Sequence, residues 1–471
     1  MKRILAVTSF VVLAVSAIWV QSGSGRPTLA IINVNVIDAT GSPVQPGMTV
    51  VIHDDRIVVI AKTATLKLKL PKNAKVVDGR NKFLIPGLWD MHVHTIFGDW
   101  IPGGKDVSLP LFVANGVTGI RDMGGDLDTL LQWRSQISAG AILGPRMIIS
   151  GPMLDGPKSR FPSSVSITTA EEGRKAVDDL QAKGVDFIKV QSFITRDGYF
   201  GVAGETKKLG ITLVGHVPDS IRASETIDAG QKSIEHLTGV FEGASTEEDS
   251  FIQGSSKGPK RYLDTYNDAL AAALISRMAR NHTWLVPTLV WERGQWLIDD
   301  IDYSHDADLK YAPASWQQKS WPSFTKGIMA ELDTDEVSVR RRFVQKEFEI
   351  VNAMRKAGVP IMAGTDTAAA VAVLPGFSLH TELECFAQAG FTPMEALQTA
   401  TLNPAKFLGL QSQMGTIEKG KLANLVLLDA NPLEDIKNTR KIAAVVLNGR
   451  LLDRAELDQI LSQVAMYASS Y

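Results

Sequence analysis

Apolar, β-like runs in this chain repeatedly end on a polar side chain of the kind that binds metal. His92 and His94 close the run from Ile85, Lys189 sits inside Phe187–Val190, and His216 ends the run from Ile211. His236 follows Ser233-Ile234-Glu235, and Asp366 ends the run from Pro360. A buried polar group costs free energy unless it is partnered, so packing alone does not account for the set. These runs, with Gly116–Arg121, Arg146–Ser150 and Trp284–Val290, alternate with amphipathic stretches such as 170–183, 220–229, 268–280 and 340–357. Strand and helix signals in alternation imply parallel strands covered by helices, and eight such runs imply a (β/α)8 barrel of the α/β class. An open doubly wound sheet would call for a Gly-rich phosphate loop after its first strand, and none is present.

The two ends of the chain have a different texture. Leu29–Val34, Thr49–His53 and Arg56–Ile60 are short strand signals, the last two joined by the Asp54-Asp55 turn, and Asn424–Leu428 and Ile442–Leu447 repeat the pattern near the C-terminus. The expected organisation is a signal peptide (1–25), a first β-sandwich part (26–84), the barrel (85–411), a second sandwich part (412–455) and a C-terminal tail (456–471). N- and C-terminal segments would thus build one small β-sandwich. The stretch 291–339 is too long for a simple connection and is expected to be an insertion on the face where barrel active sites lie, as extra helices, a lid, or both. The Gly/Ser-rich stretch 242–259 is expected to be a flexible loop, with a second lid as the alternative.

Composition narrows the function. The 471 residues suffice for a large core, and a net charge of −2 with dispersed lysines and arginines argues against a nucleic-acid partner. Cys385 is the only cysteine, which rules out an internal disulfide; its helical context implies packing. Lys2 and Arg3 precede an apolar run to about Val20 and then Gln21–Gly25, the pattern of an export signal. A periplasmic or secreted protein with no membrane span after cleavage is expected, with an uncleaved anchor as the alternative. Whether copies assemble into a homo-oligomer stays open.

Residues two apart on a strand point the same way, so His92 and His94 share a face with Asp90. A His-x-His pair at the end of a barrel strand is a metal-ligand pattern. Lys189 is the awkward member, because a buried ammonium beside metal cations is both desolvated and repelled. Either it pairs with a neighbouring carboxylate, or the neutral amine takes up carbon dioxide and becomes a carbamate able to bridge two metals. His216 and His236 could hold a second metal. Asp366 can bind metal and carry a proton as the catalytic acid/base. Nitrogen and oxygen ligands without thiolates suit zinc, with manganese, iron or cobalt as alternatives.

At these residues the chain resembles the amidohydrolase superfamily. Pro86-Gly87-Leu88-Trp89-Asp90-Met91-His92-Val93-His94 matches the family's opening motif, and Gly215-His216-Val217, Ile234–Leu237 and Gly364-Thr365-Asp366 match its later ligand motifs. Leu402–Ala405, Gly415–Lys421 and Val446–Gly449 match its C-terminal portion. The nearest branch is the imidazolonepropionase-related and prolidase-like one. That resemblance implies two divalent metal ions, with His92, His94 and Asp366 on one, His216 and His236 on the other, and carbamylated Lys189 between them. It implies hydrolysis of an amide or other C–N bond in a small-molecule substrate: a dipeptide, an N-acyl amino acid or a cyclic amide. Asp90, His380 and Glu382 are expected to orient ligands or touch substrate. The same centre could instead open an ester, lactone or organophosphate, and a binding protein that has lost catalysis is the remaining alternative. Two departures stand out. Ser150–Pro157 lacks the histidine common after the third strand of prolidase-like relatives, which weakens any transfer of dipeptide specificity. Asn424 stands where the family commonly has aspartate, in the sandwich and away from the chemistry.

Overall fold

The parallel strands run in sequence around the site. Leu88–Val93, Val117–Asp122 and Arg146–Ile149 form a three-stranded sheet. Phe187–Val190, Thr212–Gly215, Ser233–Glu235 and Trp284–Val286 pair in order within a six-stranded sheet, whose far edge is Leu154–Asp155 and Val165–Ser166. The computed structural model describes residues 18–19, 27–96, 103–161, 163–331 and 336–470. The expected leader lies outside these apart from Ile18–Trp19, which runs parallel to Leu68–Lys69. Among the described residues no helix is long and apolar enough to cross a membrane.

The architecture is TIM-barrel-like, but the parallel strands do not form one continuous ladder, and the reasons are local. Between the third and fourth barrel strands, Asp186 N–H donates to Ile149 O at 2.8 Å while the Asp186 carboxylate accepts from Ile149 N–H at 2.9 Å. A side chain there does the work of a strand carbonyl. The eighth run, Pro360–Asp366, is not a strand. Met362 N–H donates to Leu285 O at 2.9 Å and Ala363 O accepts from Met91 N–H at 2.9 Å, yet Ala363 N–H turns away to Thr399 O at 3.0 Å. That diversion breaks the ladder, although the segment still lies between the seventh and first strands. Gly364 makes the close approach feasible, since a Cβ on it would lie 2.5 Å from Val286 Cγ1 and 2.8 Å from His92 Cβ.

Helices fall where hydrophobic periodicity placed them: Ala170–Ala182, Ala223–Asp228, Asp268–Asn281 and Val337–Lys356. Thr169 caps the first through a reciprocal capping box with Glu172, and Asn267 caps the third. The stretch 242–259, expected as a flexible loop, holds a short helix at Glu248–Ile252 whose Phe251 is buried against Tyr262. The expected tail is likewise ordered. Arg454–Ser470 is a helix that buries Leu457, Ile460 and Val464.

Both chain ends meet in one mixed eight-stranded sheet. Its path runs Arg450–Asp453, Ile442–Leu447, Leu425–Leu428, Phe83–Pro86, Leu29–Val36, Gln45–His53 and Arg56–Lys62, with Lys75–Asp78 alongside Leu29–Val36. The C-terminal strand Leu425–Leu428 is interior to this path. Its alternate residues serve two cores: Leu425 and Leu427 pack with Ile31, Val50 and Ile57, while Val426 and Leu428 join the large core of the barrel side.

Candidate metal centre

All six singled-out residues, His92, His94, Lys189, His216, His236 and Asp366, line one cavity of about 910 Å³. Ligand atoms of His92, His94 and Asp366 lie within 4.8 Å of one another. Asp366 Oδ1 is 3.4 Å from His92 Nε2 and 3.3 Å from His94 Nε2, and Asp366 Oδ2 is 3.8 Å from His236 Nε2. The His216 and His236 rings stand edge to face with centroids 5.0 Å apart.

The four imidazoles share one arrangement. Each has Nδ1 engaged by the protein: His92 with Glu235 at 2.9 Å, His94 with Gly124 O at 2.9 Å, His216 with Ser192 Oγ at 2.8 Å and His236 with Thr288 Oγ1 at 2.6 Å. Engaging Nδ1 fixes the ring and leaves Nε2 as the remaining ligand atom, as in metal-binding histidines held by a supporting partner. Burial, with the Lys189 charge second, holds His92 and His216 well below the usual imidazole range; burial lowers His236 to about 4. Neutral rings are the form that can bind a cation.

Backbone strain helps to aim these groups. His236 (φ 58°), Thr288 (φ 48°) and Asp366 (φ 55°) adopt left-handed conformations that non-glycine residues seldom take. Each costs on the order of 1–3 kcal/mol and persists only where its surroundings impose it. Here His236 N–H donates to Val286 O at 2.8 Å and Asp366 N–H to His92 O at 2.7 Å.

Lys189 is 1 % exposed, and burial lowers its ammonium to about 8. No carboxylate stands within ion-pairing distance of it among the described residues. The charges of Glu235, Asp366 and Asp155 favour the ammonium from beyond that distance. Asp366 Oδ1 is a buried oxygen with no hydrogen-bond partner. A carboxylate oxygen orphaned between two inward-facing imidazole nitrogens is costly without a cation. The donor set fits a divalent metal on this ground.

The three supporting residues expected from the sequence separate. Asp90 accepts from Thr365 Oγ1 at 2.7 Å and from Thr365 N–H at 3.1 Å, which ties the first strand to the Asp366 segment; burial pushes its carboxyl up to about 7. Glu382 accepts from the N–H groups of Leu289 (3.0 Å) and Val290 (2.7 Å), capping the helix Leu289–Trp296 that follows the seventh strand. His380 does not reach the cavity. Its Nδ1 meets Thr439 Oγ1 at 3.0 Å and its Nε2 meets Asn115 O at 3.2 Å, so both ring nitrogens are engaged elsewhere. A substrate role for His380 is thereby corrected to a structural one.

The sequence reading missed Glu235 and Arg121. Both are fully buried, and Arg121 Nη2 donates to both Glu235 oxygens at 2.8 Å while Nε donates to Met91 O at 2.6 Å. The signal was present, since each is a charged residue at the end of an apolar run, like the six that were singled out. Glu235 stands beside His236 within a ligand motif, but its pairing with Arg121 is not legible in the linear order. Glu292 was also missed. It lies 4.0 Å from His236, and burial raises its carboxyl to about 8 beside Glu347, which is raised for the same reason.

The amidohydrolase family model matches residues 83–452. An ochratoxinase of Aspergillus niger is 24 % identical over 438 residues, covering 87 % of this chain and 83 % of its own length. Among solved structures, a bottromycin amidohydrolase superposes with a TM-score of 0.71 at 22 % identity, covering 94 % of this chain and 91 % of its own. A Xaa-Pro dipeptidase with bound methionine in its active site gives 0.68 at 21 % identity, over 90 % of this chain and all of its own. At these identities the two structures speak to the fold.

Proposed function

The chain belongs to the amidohydrolase family, and on that premise we propose that it hydrolyses an amide or related C–N bond with divalent metal held by His92, His94, Lys189, His216, His236 and Asp366. The observation that carries this is four buried imidazoles with engaged Nδ1 atoms gathered with the orphaned Asp366 Oδ1. Two zinc ions would be held there, His92, His94 and Asp366 serving one and His216 and His236 the other, with Lys189, as a carbamate, supplying an anionic ligand. A lysine amine lowered to about 8 by burial is partly neutral near pH 7, the form that can react with carbon dioxide, although the Glu235 and Asp366 charges favour the ammonium. The bound metal would supply Lewis-acid polarisation of the scissile carbonyl and a more acidic water.

The chain's own residues do the rest. Asp366 takes the proton of the attacking water and returns it to the departing nitrogen, which leaves as a neutral amine. His92 is held in register by Glu235 and His236 by Thr288, so the nitrogens stay aimed when substrate arrives. Trp291, whose ring lies 4.8 Å from that of His236, walls the cavity beside the ligands and limits water there.

Three readings about the whole chain go with this. The parallel strands act as a closed (β/α)8 barrel with 360–367 as the eighth stave. The eight-stranded sheet folds on itself as a β-sandwich, supported by Ile57 N–H donating to Lys421 O at 2.9 Å and Ala423 N–H to Asp55 O at 2.7 Å between its two halves. The leader at 1–25 exports the chain to the periplasm or medium, where it is removed. N-terminal sequencing of the secreted protein checks this, and an intact leader would indicate an anchor instead.

The test combines metal analysis with two variants. Purified protein is expected to carry two ions per chain. Asp366→Asn and Lys189→Ala should each lower kcat on an amide substrate by at least about 10³-fold, with unchanged circular dichroism. Full activity in either variant, or in metal-free protein, would sink the proposal.

A further inference from the structure

The cavity above the ligands has a chemistry that the ligands do not dictate. Its floor is polar and comes from strand ends. Its walls carry Phe161, Phe193, Trp291, Phe324 and Ile328. These come from four separate segments: the loop after the third strand, the turn after the fourth, the helix Leu289–Trp296, and the helix Trp321–Glu331 of the insertion. All five are only half-buried.

The insertion supplies both a packed core and part of this wall. Trp316 and Trp321 from the same stretch are 1 % and 7 % exposed and sit in a core cluster with Tyr311 and Leu111. They account for the insertion's own stability. Phe324 and Ile328, on the same helix as Trp321, lie outside that cluster's buried set and face the cavity. Apolar side chains lining one concave place, beside reactive groups and with a few polar groups such as Gln191 and Gln295, are the pattern of a ligand site. A cavity of about 910 Å³ also stands near the upper end of the roughly 300–1,000 Å³ range for sites that enclose drug-sized ligands. A short aliphatic dipeptide or a small polar ring would leave most of it filled with water against aromatic faces.

Resting on the metal-hydrolase reading above, we infer that the substrate is an amide with an aromatic or comparably bulky apolar group next to the scissile bond, about the size of an N-aroyl amino acid. The insertion is the element that selects it. The ring lies between Trp291 and the Phe324–Ile328 face, which places the amide over the polar floor.

The metal-loaded enzyme is assayed on N-acetyl-leucine, N-benzoyl-leucine, N-(2-naphthoyl)-leucine and glycyl-proline. The expected result is kcat/KM rising from acetyl to naphthoyl by about 10–100-fold or more, with glycyl-proline poorest. Phe324→Ala and Ile328→Ala should each lower the naphthoyl-to-acetyl ratio by about tenfold. Independently of turnover, 2-naphthoate should bind the metal-free protein and quench its tryptophan fluorescence, more weakly in Phe324→Ala. Acetyl-leucine or glycyl-proline matching the aroyl substrates, or a ratio and a naphthoate affinity unmoved by both variants, overturns the aromatic assignment while leaving amide hydrolysis standing. Absence of turnover on all four substrates, with metal bound, overturns the amide reading and this inference with it.

Discussion

At the scale of single residues, the centre depends on groups that never touch the cavity. Glu235 holds His92 at 2.9 Å and is itself held by both Nη2 contacts of Arg121, with all three side chains at most 1 % exposed. Glu235→Gln keeps the shape but removes the charge that balances Arg121 and leaves one acceptor oxygen for both Arg121 and His92. Metal affinity, read by competition with a chromophoric chelator, should fall about 10–100-fold. Thermal stability should fall too, on the order of 3–5 kcal/mol, because a guanidinium is left buried and unpaired. Unchanged affinity in a folded Glu235→Gln protein would remove Glu235 from the design of the centre. The residue scale is also where the sequence was most legible. Histidines, a lysine and an aspartate at the ends of apolar runs identify themselves by being costly there. Glu235 and Arg121 obey the same rule. Their partnership, though, spans the second and sixth strands, and nothing in the linear order announces it.

At the scale of elements, two buried titratable groups tie helices to their surroundings. His380, on the helix Phe377–Gln388, is lowered to about 3 by burial, with the Arg440 charge second. Its folded value lies below its ordinary value, so the unfolded chain binds the extra proton as the medium turns acid. Stability is thus fully present above about pH 6.5 and is lost as pH falls toward about 3, by roughly 1.4 kcal/mol per pH unit. Chemical denaturation at pH 7 and pH 4.5 should show His380→Asn losing roughly 2–3 kcal/mol less than wild type over that interval. An equal loss in both proteins would mean that His380 is not the group responsible. Glu382 acts on a neighbouring element, since its two oxygens cap the helix that carries Trp291 into the cavity wall. Glu382→Gln can accept only one of those two N–H groups, so amide exchange at Leu289 and Val290 should speed up while distant helices stay protected. Periodicity located the helices at 170–182 and 268–281 almost to the residue, because an amphipathic face is a local property. The eighth barrel run was expected as a strand and is not one, because the bond from Ala363 N–H to Thr399 O belongs to tertiary contact.

At the scale of the whole molecule, the chain's two ends depend on each other. Leu425–Leu428 is interior to the eight-stranded sheet and feeds both cores, so removing residues after 411 would expose the Phe83–Pro86 edge and strip a face from each core. The truncated chain should be insoluble or bind a hydrophobic dye, whereas loss of only the last few residues of the terminal helix should not cause this. The sequence by itself determined the α/β class, the flanking strands at both ends, the family and the six residues of the centre, because strand-end polarity, periodicity and motif spacing are all local. Only the tertiary structure decided that one cavity gathers those six, that no carboxylate among the described residues stands within ion-pairing distance of Lys189, that His380 faces away, and that aromatic side chains from four segments share the cavity's walls. Each of these depends on which distant segments are brought within a few ångströms, and that proximity follows from how the strands close around the site.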